Sequence, residues 1–99
     1  MHFAVIRERG ERWDEARDMR EQEGWDEHAA FMDQLVCEGF LLMVGPLRNA
    51  SKPHRALLIV EAESEEAVHA RLAEDPWTTT RMLVTASLDR WEILVGAPS

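Results

Sequence analysis

Apolar residues recur along the chain in two rhythms, and their alternation predicts the order strand, helix, strand, strand, helix, strand. Residues 2-HFAVI-6 are β-branched and aromatic enough for a first strand. In 25-WDEHAAFMDQLVCEG-39, the residues Trp25, Ala29, Met32, Leu35 and Val36 recur at three-and-four spacing, which predicts a helix with one buried face. Gly24 punctuates before this helix and Gly39 ends it. Residues 40–47 predict a second strand stopped by Gly45-Pro46, residues 49–53 a turn, and residues 55–62 a third strand. Ser64 suits the N-cap of a second helix running to about Ala73, with Glu65 and Glu66 in the first turn, where the helix dipole favours acids. After a turn at 75-DPWTTT-80, residues 82–95 read as a long final strand or two joined pieces. Residues 7–23 interleave acids and arginines and read as a solvated helical turn or a flexible loop.

This order predicts an α+β fold: a ferredoxin-like β-α-β-β-α-β antiparallel sheet with both helices on one face, in a single domain spanning residues 1–99. A sheet with one wet face should alternate apolar and polar residues. Yet 41-LLMV-44 and 57-LLIV-60, expected as central strands, are apolar at every position. The face away from the helices would then expose a larger apolar patch than soluble monomers usually carry. A second copy stacked sheet against sheet would cover it, so the expected assembly is a homodimer.

Composition narrows the partners. The net charge of −8, from 19 acids against 11 bases, repels phosphate backbones and anionic membrane surfaces, so neither nucleic acid nor membrane is an expected partner. Runs such as 40-FLLMV-44 and 56-ALLIV-60 are too short to span a bilayer, and the N-terminus lacks the pattern of a signal peptide. The lone Cys37 permits no intrachain disulfide, which fits a reducing, cytoplasmic setting, and a plain free thiol is its expected state.

The candidate chemistry centres on His28, an imidazole lying in the apolar stripe of the first helix. A polar ring on a core face needs a hydrogen-bonding partner or a task, and the best candidate partner is Asp75. On the functional reading, the carboxylate fixes the imidazole tautomer and leaves the other nitrogen free to move a proton. On the bland reading, His28 is a satisfied core residue, and Asp75-Pro76 is an N-cap followed by proline at the first helical position. The two roles of Asp75 are compatible. Trp25 and Trp77 lie close in sequence to the pair and could wall a pocket for a flat or apolar ligand; Trp91 reads as core packing. Glycine at Gly45-Pro46 permits close approach by a ligand, or merely turns the chain. His2, His28, His54 and His69 show no ligand spacing, so no metal is expected; nor is there a phosphate loop, nucleophile elbow or dinucleotide fingerprint, so no cofactor is expected.

Over nearly its full length the chain resembles the YciI-like (YCII-related) family. The resemblance rests on the short first strand, 28-HAAFMDQL-35 followed by Gly39-Phe40, then 45-GPL-47, and finally 75-DPW-77. It implies a ferredoxin-like fold that pairs as a dimeric α+β barrel, with an active site built on a His and an Asp, here His28 and Asp75. It also implies kinship with small-molecule enzymes of the muconolactone-isomerase and dehalogenating-lyase type. One departure matters: many relatives carry a basic residue three positions before the His, where this chain has Trp25. That disfavours an anionic substrate gripped at this point and favours a more apolar one. The charged segment 8–23 is also longer than the minimal family loop, as a lid would be. The resulting expectation is cofactor-independent lyase, isomerase or hydrolase chemistry on a small organic substrate. His28 is the general acid/base and Asp75 its orienter, with Trp25, Met32, Gly45, Pro46 and Trp77 around the pocket. The rivals are a non-catalytic dimeric module that binds a small ligand, and a purely structural His28–Asp75 tie.

Overall fold

A computed structural model gives the structure of the protein and describes residues 1–96; the last three residues of the expected domain lie outside the described ones. Strands β1 (His2–Arg9), β2 (Leu41–Leu47), β3 (Arg55–Glu61) and β4 (Leu83–Arg90) form one antiparallel sheet in the order β2-β3-β1-β4. Helices α1 (Trp25–Cys37), α2 (Glu65–Leu72) and the short α3 (Pro76–Thr79) complete the described fold, with a 3-10 turn at Met19–Glu21. This is the expected ferredoxin-like α+β arrangement.

Strand β1 follows the period of two: Phe3, Val5 and Arg7 are buried, whereas the residues between them are only half-buried. The register sets Phe3 opposite Val60 and Val5 opposite Leu58, and these four join Leu35, Leu41, Val68 and Leu72 in the core between sheet and helices. Helix α1 contributes Leu35, with Phe31 and Met32 packed against the same cluster. Its buried stripe therefore runs His28, Phe31, Met32, Leu35. Val36, expected on that stripe, is 55% exposed, because one further residue rotates the helix about 100° away from the core. The Ser64 hydroxyl caps α2 by accepting from the Ala67 amide.

Two boundaries and one strand's place in the sheet differ from expectation. Strand β1 runs on to Arg9, because β3 and β4 remain available to pair with it as far as Arg55 and Leu83. Strand β4 ends at Arg90 rather than continuing to 95. The Trp91 amide donates to the His2 carbonyl near the start of β1, and beyond it no strand remains to pair with. Trp91 is accordingly 45% exposed rather than core, and Leu94 and Val95 are open to solvent. Strand β2 is an edge strand, since it pairs with β3 alone. The apolar character of 41-LLMV-44 hence leaves Met43 and Val44 about half exposed. In register, Ala4 lies opposite Ile59, Ile6 opposite Leu57, and Ile59 opposite Met43, an apolar set on the sheet face away from the core cluster.

Candidate active site

Three segments distant in sequence meet beside the first turn of α1. Gly24, at φ +83°, turns the chain into the helix, and the His28 amide closes the first turn on the Gly24 carbonyl. That places the His28 ring on the inward face, with 7% of the residue exposed. Asp75 arrives from the end of α2 as the N-cap of α3: its Oδ1 accepts from the Trp77 amide at 2.9 Å, and Pro76 occupies the first helical position. Asp75 is fully buried, and both of its oxygens lie 3.0 Å from His28 Nδ1. The cap and the imidazole contact coexist on one carboxylate.

The third segment is β1. Arg7, 2% exposed, donates from Nη1 to Asp75 Oδ2 at 3.3 Å and from Nη2 to Thr78 Oγ1 at 2.6 Å, with a longer contact to the Leu83 carbonyl at 3.4 Å. The Thr78 hydroxyl spends its own proton on the Leu72 carbonyl at 2.8 Å, which turns its lone pairs towards Arg7. Burial pushes the Arg7 pKa below its ordinary value, while the Asp75 charge and hydrogen bond pull it back up. Facing an ionised carboxylate, which can only accept, a neutral His28 ring would carry its proton on Nδ1 and its lone pair on Nε2. Among the described residues Nε2 has no partner, and it is not among the fully enclosed atoms. A buried, oriented imidazole with one accessible nitrogen can take a proton from a ligand and return it.

Aromatic rings pack against the imidazole. The His28 ring stacks on Trp77 at 4.1 Å between centroids and 8° between planes, and Trp25 leans over both at 5.9 and 5.8 Å. Trp13 meets Trp77 edge-on at 5.5 Å, and Arg9 lies 4.7 Å above the Trp13 ring. Trp77 Nε1 donates to the Glu23 carbonyl at 2.8 Å, which fastens α3 to the entrance of α1.

Of the expected site residues, the structure brings together His28, Asp75, Trp25 and Trp77. Met32 follows His28 by one turn and packs on the core cluster. Gly45 and Pro46 lie elsewhere: they line a shallow cleft of about 230 Å³ at the β2 edge with Met43, Val44, Leu57 and Ile59. A larger cleft of about 420 Å³ lies between α2, α3 and β4, lined by His69, Leu72, Thr78, Arg81 and Thr85 among others. Neither cleft is lined by His28 or Asp75. No group of three or more residues with metal-ligating side chains occurs among the described residues, and no helix is long and apolar enough to cross a membrane.

Sequence reasoning missed Arg7 and Gln22, both assigned to a solvated segment and both buried. The signal for Arg7 was present: it continues the inward phase of Phe3 and Val5. Gln22 clamps the segment expected as a lid. Its Nε2 donates to the carbonyls of Asp14 at 2.7 Å and Arg17 at 2.9 Å, and its Oε1 accepts from the Asp14 amide at 2.9 Å. A polar residue in a charged run gives no local sign of such a role.

A four-stranded ferredoxin-like sheet carrying a buried imidazole and carboxylate beneath one helix defines the class to which this chain belongs. It is a member of the YCII-related domain family, which it matches over residues 1–91. Among solved structures it is similar to the 5-chloro-2-hydroxyhydroquinone dehydrochlorinase of Burkholderia phenoliruptrix AC1100, determined in complex with 2,5-dihydroxybenzoquinone. The two are 26% identical with a TM-score of 0.59, over 93% of this chain and 94% of the other. No curated protein matches the chain.

Proposed function

We propose that the protein is a homodimeric, cytoplasmic enzyme that eliminates hydrogen halide from a halogenated polyhydroxybenzene without a cofactor. His28 acts as general acid/base, Asp75 as its orienter, Trp25 borders the substrate, and the buried Trp77, stacked on His28, holds the imidazole in place. The observation that carries this reading is His28 itself, with Nδ1 held by Asp75, its ring stacked on Trp77, and Nε2 without a protein partner. The likeness to a dehydrochlorinase supports the reaction class. In the proposed sequence, His28 moves one proton from a ring hydroxyl to the halogen-bearing carbon. It then takes a second hydroxyl proton as the carbon–halogen bond breaks, its electron pair leaving with halide. The products are a hydroxyquinone, halide and a proton released to water, so atoms and electrons balance. Such a proton shuttle typically contributes about 10²–10⁴-fold in rate. The apolar set Ala4, Ile6, Met43, Leu57 and Ile59 supports pairing of two sheets into a dimeric barrel.

Chloride release from 5-chloro-2-hydroxyhydroquinone, followed together with quinone absorbance, tests the proposal. His28→Asn is expected to lower turnover by about 10²–10⁴-fold while leaving the fold intact. Absence of chloride release by the wild-type protein refutes the enzymatic reading. A second reading, in which the pair is a structural tie, is favoured by the fact that neither described cleft reaches His28. It requires His28→Asn to cost several kcal/mol of stability, roughly what a core tie is worth.

A further inference from the structure

We infer that Arg7 is a positioning residue for His28: its fixed positive charge on Asp75 keeps the imidazole neutral in the resting site, so that Nε2 presents a lone pair rather than a proton. The inference rests on the acid/base reading of His28 given above.

Charges act strongly on one another in a place with little water. Asp75 is fully buried, and two cationic or potentially cationic groups compete for it, the Arg7 guanidinium and the His28 imidazole. With Arg7 present, the neutral imidazole leaves the cluster at net zero, and protonation takes it to +1 out of water, which desolvation opposes. Without Arg7, a protonated imidazole would neutralise Asp75 and be the favoured partner. The guanidinium does not release its proton at working pH, so it cannot yield the carboxylate to the ring. Its position is fixed from several sides, by Asp75 Oδ2, by the Thr78 hydroxyl and by the Leu83 carbonyl. Thr78 is itself oriented by its donation to Leu72.

Other charges facing His28 are few. Helix α1 packs on β2, α3 and the 3-10 turn, and through its core side chains on β1, β3 and α2; of the charges on these last three, Arg7 is the buried one, while Arg71 is drawn to Glu38 at the far end of α1. Strand β2 (LLMVGPL) carries no ionisable side chain, and α3 brings none beyond its cap, Asp75. In the 3-10 turn Arg20 and Glu21 are exposed, as are Glu23, Asp26 and Glu27 around the start of α1, so solvent screens them. Asp75 and Arg7 are therefore the buried charges that set the protonation of His28. The same arrangement makes the imidazolium formed during turnover a ready acid, as a shuttle that collects a proton from oxygen and delivers it to carbon requires.

The test is a histidine NMR titration of the ligand-free protein, with the His28 signal assigned by its loss in His28→Asn. In Arg7→Met the protonation midpoint of His28 should rise by at least one pH unit over wild type, a tenfold or greater gain in proton affinity. Arg7→Lys, which keeps the charge, should restore the wild-type midpoint to within a few tenths of a unit. If Arg7→Met does not fold, Arg7→Gln, which keeps hydrogen bonding without charge, takes its place with the same expectation. Equal midpoints in wild type and the uncharged variant overturn the inference, as does a Lys variant that behaves like Met. A purely structural Arg7 would lower stability in all these variants without this charge-dependent order. Because the titration needs no substrate, a wild-type protein that releases no chloride defeats the enzymatic reading while leaving the charge effect of Arg7 measurable.

Discussion

Replacing Asp75 by Asn is the perturbation with the most calculable consequence. The Asn side-chain oxygen can still cap α3 through the Trp77 amide, so the backbone turn at 75–77 has reason to persist. What disappears is the negative charge opposite Arg7, a group only 2% exposed. Removing one partner of a buried ion pair costs about 3–5 kcal/mol, because it strands the other charge. A domain of this size is stable by roughly 5–15 kcal/mol, so the variant loses about a fifth or more of its margin. Since most of that cost lies in the orphaned guanidinium, it should be relieved by removing Arg7 as well. The double variant Asp75→Asn with Arg7→Met is expected to be more stable than Asp75→Asn alone, with a coupling of about 2–3 kcal/mol. Equilibrium urea unfolding followed by tryptophan fluorescence reads this directly. At a slope of roughly 1–3 kcal/mol/M, the Asp75→Asn loss moves the midpoint by about 1 M or more. If the two single-variant costs simply add, Arg7 and Asp75 are not a mutually dependent pair, and the charge argument built on them fails.

Three further expectations are independent of that pair. A Cβ at Gly10 would sit 2.1 Å from the Arg81 carbonyl oxygen, a backbone atom that accepts from the Arg12 amide beside the Gly10–Met82 bond. Gly10→Ala should therefore cost about 1–3 kcal/mol in thermal or urea unfolding; a neutral result would mean that the 10–13 and 81–82 segments separate freely. Glu38 caps the C-terminal end of α1 and pairs with Arg71 of α2, which holds the Glu38 carboxyl below its ordinary value of 4.5. A depressed carboxyl contributes stability above its unfolded pKa and loses it as pH falls through the folded one. The stability gap between wild type and Glu38→Gln should thus be present at pH 7 and close in acid below pH 4.5, and a gap that persists there defeats the assignment. Met43, half exposed on the sheet face away from the core cluster, should tolerate Glu in the isolated fold. Met43→Glu should halve the sedimenting mass of a homodimer at micromolar concentration, and a wild-type protein that sediments as a monomer removes the dimer proposal.

Features written into local pattern were legible in the sequence. The element order followed from hydrophobic period; the N-caps at Ser64 and Asp75 and the halt at Gly39 followed from residue type. The inward placement of His28 followed from its helical phase. What escaped depends on partners far along the chain. Strand β4 could not be ended at Arg90 without knowing where β1 begins, and β2 could not be recognised as an edge without the order of pairing. Trp91 looked like core because a large apolar ring usually is, yet the sheet runs out at that point. Gly45 and Pro46 come from a β-strand edge whose cleft is not lined by the dyad, a spatial fact that no turn signal carries.

Arg7 shows why the centre of the site was the least legible part. Its guanidinium has partners 68 and 71 residues away, and a charged side chain in a charged run gives no reason to look inward. Yet none of the three buried polar groups is satisfied by its own segment. His28 needs Asp75 for Nδ1; Asp75, beyond its cap, needs a counter-charge; and Arg7 needs both Asp75 and Thr78. Each alone would be a costly burial, and together they hydrogen-bond one another while still leaving Arg7 Nε without a partner. The cluster can therefore form only when β1, α1 and the α2–α3 turn are all in place. Held from three segments at once, these side chains constrain one another. Rigidity is what an imidazole requires if one nitrogen is to stay fixed on Asp75 while the other exchanges protons with a ligand.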